Sequence, residues 1–565
     1  MFETTDGRPI ATSGLAYVWI AAALAIVTSA PALFARGLIA DDWSVYYVYW
    51  TEGTAAIARL MLHAGHGGYT VPMLLFVNLG EATPNVVARM LGLGCHVLSS
   101  VLLYRVLLAS PYTRAIAALT TALFLLSPFY AIRLTLNAAY DFFLVFYLLS
   151  YVLMNSPSRL LRWIAPISLF FSLSLETLVA VEPLRLLLAY RANERWTNWL
   201  ARLIPYWVVV VAVIVLRLTI MGKSGHYVLQ YAPLHNLAIT MAALSAHLDA
   251  LPRALSYART QGFQFFGRNA SAVLVLATIA MFVLFGARAF RTSWLLRSHA
   301  SAGNTILLIL LGTAIAVLGA LPYALVGIYG DVTRGESRLL FPSQFGALLL
   351  LATAIQCFPA QRLRAAIAGG AIAVFALSMA HDAKWLLYDG LVTSDLQRQT
   401  RAALLADPEP KVVELRIPTS VPLFFRSRCL GASDMNAAQA ILRDESRQRS
   451  FIYTDNCGDF INADIVPSGR CPVSYLDGFP CPPRRETWLY RTAPGIPPLD
   501  DITMLDLIKA VVSISSSSTG GRGELVKLID DQELPLQRAE FASPCQRRGV
   551  QAALWLLELR AEHCK

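Results

Sequence analysis

Eleven apolar runs, with short basic loops between many of them, dominate this chain and constrain most of what it can fold into. They cover residues 14–34, 84–109, 114–131, 138–154, 163–177, 178–191, 203–220, 271–288, 304–328, 343–359 and 365–381. A helix crosses hydrocarbon with about 20 apolar residues. Lipid cannot satisfy backbone polar groups, so such runs are expected to be helices. Composition agrees. The 565 residues are 56% hydrophobic and only 15% charged, whereas soluble domains carry about 25% charged residues. The net charge of +10 does not point to nucleic acid, because the arginines cluster between apolar runs instead of forming one stripe.

Arginine sets the expected orientation. The basic loops are "SPYTR", "NSPSRLLRW", "RANERWTNWLARL", "ARAFRTSWLLRSH" and "PAQRLR". With all of them cytoplasmic, the runs alternate as the positive-inside rule requires. The stretch 163–191 lies between two basic loops, so two short helices turning near Glu176 and Thr177 are expected. The N-terminal "MFETTDGRPIATSG" lacks the basic region and cleavage pattern of a removed signal peptide, so the first run is expected to stay as an anchor. Eleven spans from a cytoplasmic N-terminus place the C-terminus outside.

Cysteine usage leads to the same side. Cys429, Cys457, Cys471, Cys481, Cys545 and Cys564 all lie in the polar C-terminal part. An even set there suggests disulfides and an oxidising compartment. Cys471 and Cys481 flank "PVSYLDGFP", a loop that a bridge can close, and Cys545 is a candidate partner for Cys564. Cys95 and Cys357 read as core residues. No C-x-x-C pair supports zinc.

The expected fold is therefore a polytopic α-helical membrane protein with a soluble exoplasmic α+β domain. The membrane part spans 1–384 and the second domain 385–565. In the latter, "KVVELRIP" and "RSFIYTD" read as strands. "DMNAAQAILRDESRQ" reads as a helix capped by Ser433 or Asp434. "SISSSSTGGRG" reads as a flexible loop.

Three long exoplasmic loops follow, at 35–83, 221–270 and 331–343. The first holds Asp41 and Asp42, followed by Trp43, Tyr46, Tyr47, Tyr49 and Trp50. Carboxylates beside hydrocarbon are costly. Such a pair can take a proton from an acceptor hydroxyl or hold Mg²⁺ or Mn²⁺. The bland alternative is a solvated loop with an interfacial aromatic belt. "GTAAIARLMLHAG" and "YTVPMLLFVNLG" look like interfacial helices, and His63 and His66 read as loop residues. In the second loop, His235, His247, Asp249 and Pro252 argue for a surface helix over a twelfth span. Asn269-Ala-Ser is a glycosylation sequon on a three-residue match.

An acidic pair in the first exoplasmic loop of a many-span chain resembles the GT-C superfamily of membrane glycosyltransferases, which use polyprenyl-linked sugars as donors. Three further stretches are similar to its protein O-mannosyltransferase-like branch. "SLSLETLVAVEPL" resembles that branch's L-x-K-E-x turn, with Ser174 or Leu175 where Lys is usual. "RGESRLLFPS" resembles its E-R-x-L-Y-L-P-S loop, with Ser337 between Glu336 and Arg338. "HDAKWLLYDG" resembles the N-x-x-W-x-D segment after the last span. The likeness covers the architecture of residues 14–395; the C-terminal domain is no tetratricopeptide array.

The resemblance implies an inverting transfer from a polyprenyl-phosphate sugar to a glycan, lipid or protein at the exoplasmic face. Asp41 or Asp42 would be the general base, or the pair would hold a divalent cation. Arg334 and Arg338 are the first candidates for the donor phosphate, with pairing to Glu336 or Asp331 as their plain alternative. Lys223 and His226, with Arg259 and Arg268, are second candidates, and Arg133 faces the same side. Glu176, Glu336, Trp43 and Tyr46 would support the site. The Ala- and Arg-rich composition favours a bacterial inner membrane, with the C-terminal domain in the periplasm. A transporter or flippase would place its charges at mid-membrane, often in repeated halves. An O-antigen ligase or polymerase would lack the acidic first loop, and a non-catalytic scaffold would need none of these residues.

Overall fold

A computed structural model describes residues 11–33, 35, 45–46, 48–49, 52–63, 67–79, 84–109, 114–129, 139–175, 177–188, 195–217, 219, 236–269, 302–330, 339–417, 436, 450–454, 470–472, 478–492, 502–513, 523–530 and 532–536. The described chain is mostly helical, with a small C-terminal sheet. The helices are α1 (Ala11–Leu33), α2 (Thr54–His63), α3 (Thr70–Leu79), α4 (Pro84–Ala109), α5 (Arg114–Leu125), α6 (Ala139–Met154), α7 (Arg159–Ser172), α8 (Thr177–Val181), α9 (Arg185–Leu188), α10 (Trp196–Leu216), α11 (Leu237–Arg268), α12 (Ala302–Ala324), α13 (Phe341–Cys357), α14 (Gln361–Ala406) and α15 (Met504–Ser513). Among the described residues, four stretches are long and apolar enough to cross a membrane: Val86–Leu108, Trp196–Leu216, Thr305–Ala324 and the helix Gln361–Ala406. Shorter apolar helices, such as Ala139–Met154 and Phe341–Cys357, pack among them. The run 271–288 lies outside the described residues.

A helix break lies next to the expected turn, whose Glu176 falls outside the described residues: α7 ends at Ser172, residues 173–175 form a turn and bend, and α8 begins at Thr177. Gly68 sits against it, since a Cβ there would overlap the Ser174 side chain. The helix expected on the surface, α11, exposes one face, with Leu237 and Asp249 open, and packs the other. One face of α11 buries Thr240, Ala243, His247, Ala250, Ala254, Ala258 and Gly262, at the spacing of a single helical stripe. Small residues let that face lie close on α12 and α14. The Asn269 sequon is also built in, with the residue only 2% exposed. Its Nδ2 donates to Phe265 O at 2.8 Å, and its Oδ1 accepts from Met504 N at 2.8 Å. Of the two cysteines expected in the core, Cys95 is half-buried and Cys357 is exposed at the end of α13.

The tightest contact joins α12 to α13. A Cβ on Gly319 would lie 2.7 Å from Ser343 N and 2.8 Å from Pro342 C. One on Gly346 would overlap Gly312 O and Ala316 N. Small residues commonly allow such backbone-to-backbone approach where lipid leaves no hydrophobic driving force between helices.

α14 has 46 residues, about 69 Å at 1.5 Å per residue. It runs unbroken through residue 384, where the composition turns polar, and the sheet starts soon after. The strands are β1 (Val412–Arg416), β2 (Phe451–Thr454), β3 (Arg470–Pro472), β4 (Gly478–Pro480), β5 (Arg485–Thr492), β6 (Gly523–Ile529) and β7 (Gln532–Pro535). The main sheet has the order β2-β1-β5-β6-β7. β1 runs parallel to β2 and β5, while β6 is antiparallel to β5 and β7. Both strands expected from alternating patterns are thus present. β3 and β4 form a hairpin, closed by the expected Cys471–Cys481 disulfide with a Cα–Cα distance of 5.1 Å. The Cys545–Cys564 pairing, the 514–522 loop and most of the 434–448 helix lie outside the described residues. Asn436 pairs through both ends of its amide with Ile452 in β2, at 2.8 and 3.0 Å.

A polar lock fastens α14 to the sheet. Tyr490 OH donates to Asp395 Oδ2 at 3.1 Å, and Gln399 Oε1 accepts from Leu525 N at 2.9 Å. At the helix end, Asp407 pairs with Lys411 and Arg484. Arg484 also reaches Glu409 and Glu486. Glu486 accepts from Lys527 Nζ and Trp488 Nε1, both at 2.9 Å. The Lys411 hydrogen bond and the Lys411 and Arg484 charges hold Asp407 below the usual carboxylate range. Burial alone would raise Glu486, but the Lys527 and Trp488 hydrogen bonds and the Lys411 charge outweigh it and hold it low.

Two predictions follow from these contacts. Gly346→Ala forces α12 and α13 apart and should cost about 1–3 kcal/mol, the range for overpacking. Gly94→Ala, with nothing within 4 Å of the added carbon, should stay within about 1 kcal/mol of wild type. Thermal melts of the two purified variants decide this, and equal midpoints would refute the close contact. Carboxylates with depressed values contribute stability at neutral pH that is lost as pH falls through their folded values. The melting midpoint of the C-terminal domain should therefore drop below about pH 4.5. Glu486→Gln should start lower at pH 7 and show a flatter acid limb. An unchanged acid limb in that variant would separate the network from acid stability.

Candidate functional site

Most residues that the sequence nominates for chemistry fall outside the described residues. These are Asp41, Asp42, Trp43, Arg133, Glu176, Lys223, His226, Arg334, Glu336, Arg338 and His66. What the structure describes is the frame on either side of them. Ahead of the acidic pair, the buried Arg89 of α4 donates to Ala35 O. Behind it, Tyr46 is fully buried and its hydroxyl donates to Phe76 O of α3 at 3.4 Å. Tyr49 OH reaches Asn78 Oδ1 at 3.4 Å. Tyr46, expected as a site aromatic, is therefore packed into the core and fastens the first loop to α3.

Aromatic contacts carry this frame onward. Tyr69, one residue before α3, meets Phe143 and Tyr140 of α6, with ring centroids 4.9 and 6.2 Å apart. Tyr140 in turn meets Phe341, the first residue of α13, at 5.5 Å. Edge-on pairs at such distances are favoured by the ring quadrupoles. The neighbours of the acidic pair, of the 174–177 turn, of the segment before α6 and of the Arg334–Arg338 loop are thus linked by one run of contacts.

The base of the third loop is the best-defined part. His247 is fully buried on α11. Its Nδ1 accepts the Gly330 N–H at 3.2 Å, and its Nε2 lies 3.1 Å from Ser343 Oγ. An Nδ1 that accepts leaves the ring proton on Nε2, which donates to Ser343. Burial pushes the imidazole down to about 4, in keeping with that neutral tautomer. Tyr323 stacks on the ring at 5.9 Å and 12°. Because Nε2 carries the proton, this His–Ser pair is not arranged for nucleophile activation.

Two further polar centres sit among apolar helices. His96 bridges Asp141 Oδ1 at 3.0 Å and Leu125 O at 3.1 Å, tying α4 to α5 and α6. Arg185 pairs with Glu182 and donates to Ser150 Oγ at 2.8 Å. Its guanidinium lies 3.8 Å from the Tyr151 ring centre and 4.6 Å from that of Tyr206. A neighbouring cavity of about 90 Å³ is lined by Thr120, Tyr147, Tyr151, Leu178, Leu311 and Phe345, among others. So apolar a lining suits a hydrocarbon segment and gives a sugar too few partners. Sequence reading overlooked these centres. Glu182 and Arg185 carried a signal, as two charges three residues apart inside an apolar run. His247 had none, since its partners lie 83 and 96 positions away.

The "HDAKWLLYDG" segment lies within α14, and His381, Asp382, Lys384 and Asp389 are buried. Ser378 Oγ, His381 Nδ1 and Trp385 Nε1, spaced along one face, have no hydrogen-bond partner. Among the described residues no cluster of three His, Cys, Asp or Glu side chains is placed to hold a metal. No protein-family model matches the chain, and no curated protein is significantly similar to it.

Proposed function

We propose that the chain is an integral membrane glycosyltransferase of GT-C type, moving a sugar from a polyprenyl-phosphate carrier to a glycan, lipid or protein acceptor. The observation that carries this reading is the run of contacts from Tyr46 through Phe76, Tyr69 and Tyr140 to Phe341. Segments far apart in sequence, each with a residue suited to group transfer, have adjoining flanks. In this reading eleven spans put the acidic pair, the arginine loop and the C-terminal domain on the exoplasmic side of a bacterial inner membrane. The Cys471–Cys481 bridge supports that side, since disulfides persist in oxidising compartments.

The chemistry is an inverting displacement. A carboxylate of the Asp41/Asp42 pair takes the acceptor hydroxyl proton. The freed oxygen bonds to the anomeric carbon as the bond from that carbon to the phosphate oxygen breaks. The electron pair leaves with the lipid phosphate, whose charge Arg334 and Arg338 balance. A flippase for lipid-linked glycans is the second reading, favoured by the buried Arg185–Glu182 and His96–Asp141 pairs, because intramembrane charges often mark transport paths.

The deciding experiment uses purified protein in detergent, where no gradient exists, with a panel of radiolabelled polyprenyl-phosphate sugars. Transfer or slow donor hydrolysis supports the enzyme; binding without turnover of any donor supports the flippase. Asp41→Asn or Asp42→Asn should lower the rate about 10²–10⁴-fold, as loss of a general base does, with expression and melting unchanged. Chelator-sensitive activity restored by Mn²⁺ or Mg²⁺ would assign the pair to a metal. Full activity in both variants would remove the main support for the enzyme.

A further inference from the structure

We propose that the end of the molecule where α7 and α10 begin binds an anionic phospholipid. Arg159, Arg162 and Arg195 would take its phosphate, and its chains would lie on the exposed apolar faces of the two helices. The proposal needs α10 to sit in a bilayer and is independent of sugar transfer. All three arginines are exposed, and none of their side chains has a hydrogen bond or ion pair. Within residues 150–217 the one described carboxylate is Glu182, which is already paired with Arg185. Arg159 and Arg162 lie in the first turn of α7, and Arg195 immediately precedes α10. The two helix starts are held at the same end. α7 and α10 pack together, and Arg202 Nη1 of α10 donates at 3.4 Å to Asn155 Oδ1, four residues ahead of Arg159. Neither helix start has a side-chain cap. Cations there oppose the positive ends of the helix dipoles, so an anion among them is favoured.

Beyond the arginines the surface turns apolar. Of the 21 residues of α10 only Leu203 and Tyr206 are buried. The helix is about 30 Å long at 1.5 Å per residue, the thickness of a hydrocarbon core. On α7, Leu160, Trp163, Ile164, Ile167, Phe170 and Phe171 form an exposed stripe. That stripe is about 16 Å long, roughly the depth of one leaflet. Trp163 and Trp196 are 65% and 67% exposed, each next to one of the arginines. Tryptophan and arginine at the head of an apolar face are what a membrane interface selects. Simple snorkelling to water is the bland alternative. It accounts for exposed arginines, but not for three of them gathered at two uncapped helix starts without a carboxylate. A guanidinium pairs with phosphate through two parallel hydrogen bonds. A zwitterionic lipid would bring its own cation to the same place, and free phosphate would leave the apolar faces unused.

The test uses the full chain purified in neutral detergent. It is titrated with phosphatidylglycerol or phosphatidylcholine in mixed micelles, and retained lipid is counted by native mass spectrometry. Phosphatidylglycerol should be retained in preference. A basic residue beside an anionic surface contributes about fivefold in affinity. Arg162→Gln should therefore weaken retention about fivefold, and Arg159→Gln, Arg162→Gln and Arg195→Gln together about a hundredfold. Arg362→Gln, at an exposed arginine near the start of α14, should change it little. Arg162→Lys should stay weaker than wild type, because an ammonium does not bridge two phosphate oxygens. Glycerol 3-phosphate, which lacks chains, should not compete. The substituted side chains are exposed, so melting midpoints without lipid should match wild type; if the triple variant melts early, Arg195→Gln alone carries the comparison. Equal retention of the two lipids would overturn the proposal. So would equal losses in Arg362→Gln and Arg162→Gln, which mean diffuse attraction, or full retention in Arg162→Lys. Competition by glycerol 3-phosphate would make the arginines a site for free phosphate and overturn the lipid. None of these readings depends on turnover of a sugar donor, so the function proposed above can fail without deciding this one.

Discussion

The glycine-paved contact between α12 and α13 is the constraint on which the proposed site depends. Where helices meet within lipid, apolar side chains gain little by leaving it for one another, so close packing and hydrogen bonds hold them together. Gly312, Ala316, Gly319 and Gly346 let the two backbones touch. That contact brings Gly330 and Ser343 near enough for one imidazole to bridge them. Any side chain at Gly319 would push Ser343 away, and the hydrogen bond from His247 would lengthen beyond use. The loop stems and Tyr323 lie beside this close contact, and α11 packs across it and onto α14.

Several buried polar centres follow a second rule, in contrast to Ser378 Oγ and Trp385 Nε1 of α14, which have no hydrogen-bond partner among the described residues. A charge or amide away from water is tolerated when its hydrogen bonds are made inside the protein. His96 satisfies this by joining three helices, and Gln344 does so with Ser127 Oγ at 2.6 Å. Arg185 does so with Glu182, Ser150 and the faces of tyrosines. Each centre links helices distant in sequence. Breaking any one partner would strand the other in an apolar setting, so these pairs are expected to specify which helices meet more than to add net stability.

Sequence reading found what repeats or alternates. Apolar runs located helices, the β1 and β2 patterns located strands, and the spacing of Cys471 and Cys481 located a bridge. It failed where an outcome depends on a partner elsewhere in the chain. His247 looked like a reason for exposure, yet it is buried because Gly330 and Ser343 satisfy it. Asn269 looked like a glycan acceptor, yet it caps α11 and holds α15. α14 was legible only up to His381, since a polar stretch after an apolar run ordinarily signals a loop. Here the sheet and α15 cover that stretch, and Asp395 and Gln399 find partners in β5 and β6. Of the candidate site, the motifs were legible as sequence, while the frame that joins their flanks was not.

α11 gives these parts a common mechanical element. Near its start, His247 holds both stems of the arginine segment. At its end, Asn269 accepts from Met504 N of α15, in the C-terminal domain. The 22 positions between them make about 33 Å of helix at 1.5 Å per residue. Along that length Gly262 lies against Val374 and Ser378 of α14, and α14 itself is locked into the sheet. A displacement of the C-terminal domain is therefore opposed at two places, by the polar lock on α14 and by the cap on α11. Both helices would have to shift with it, and α11 would carry the shift to Gly330 and Ser343.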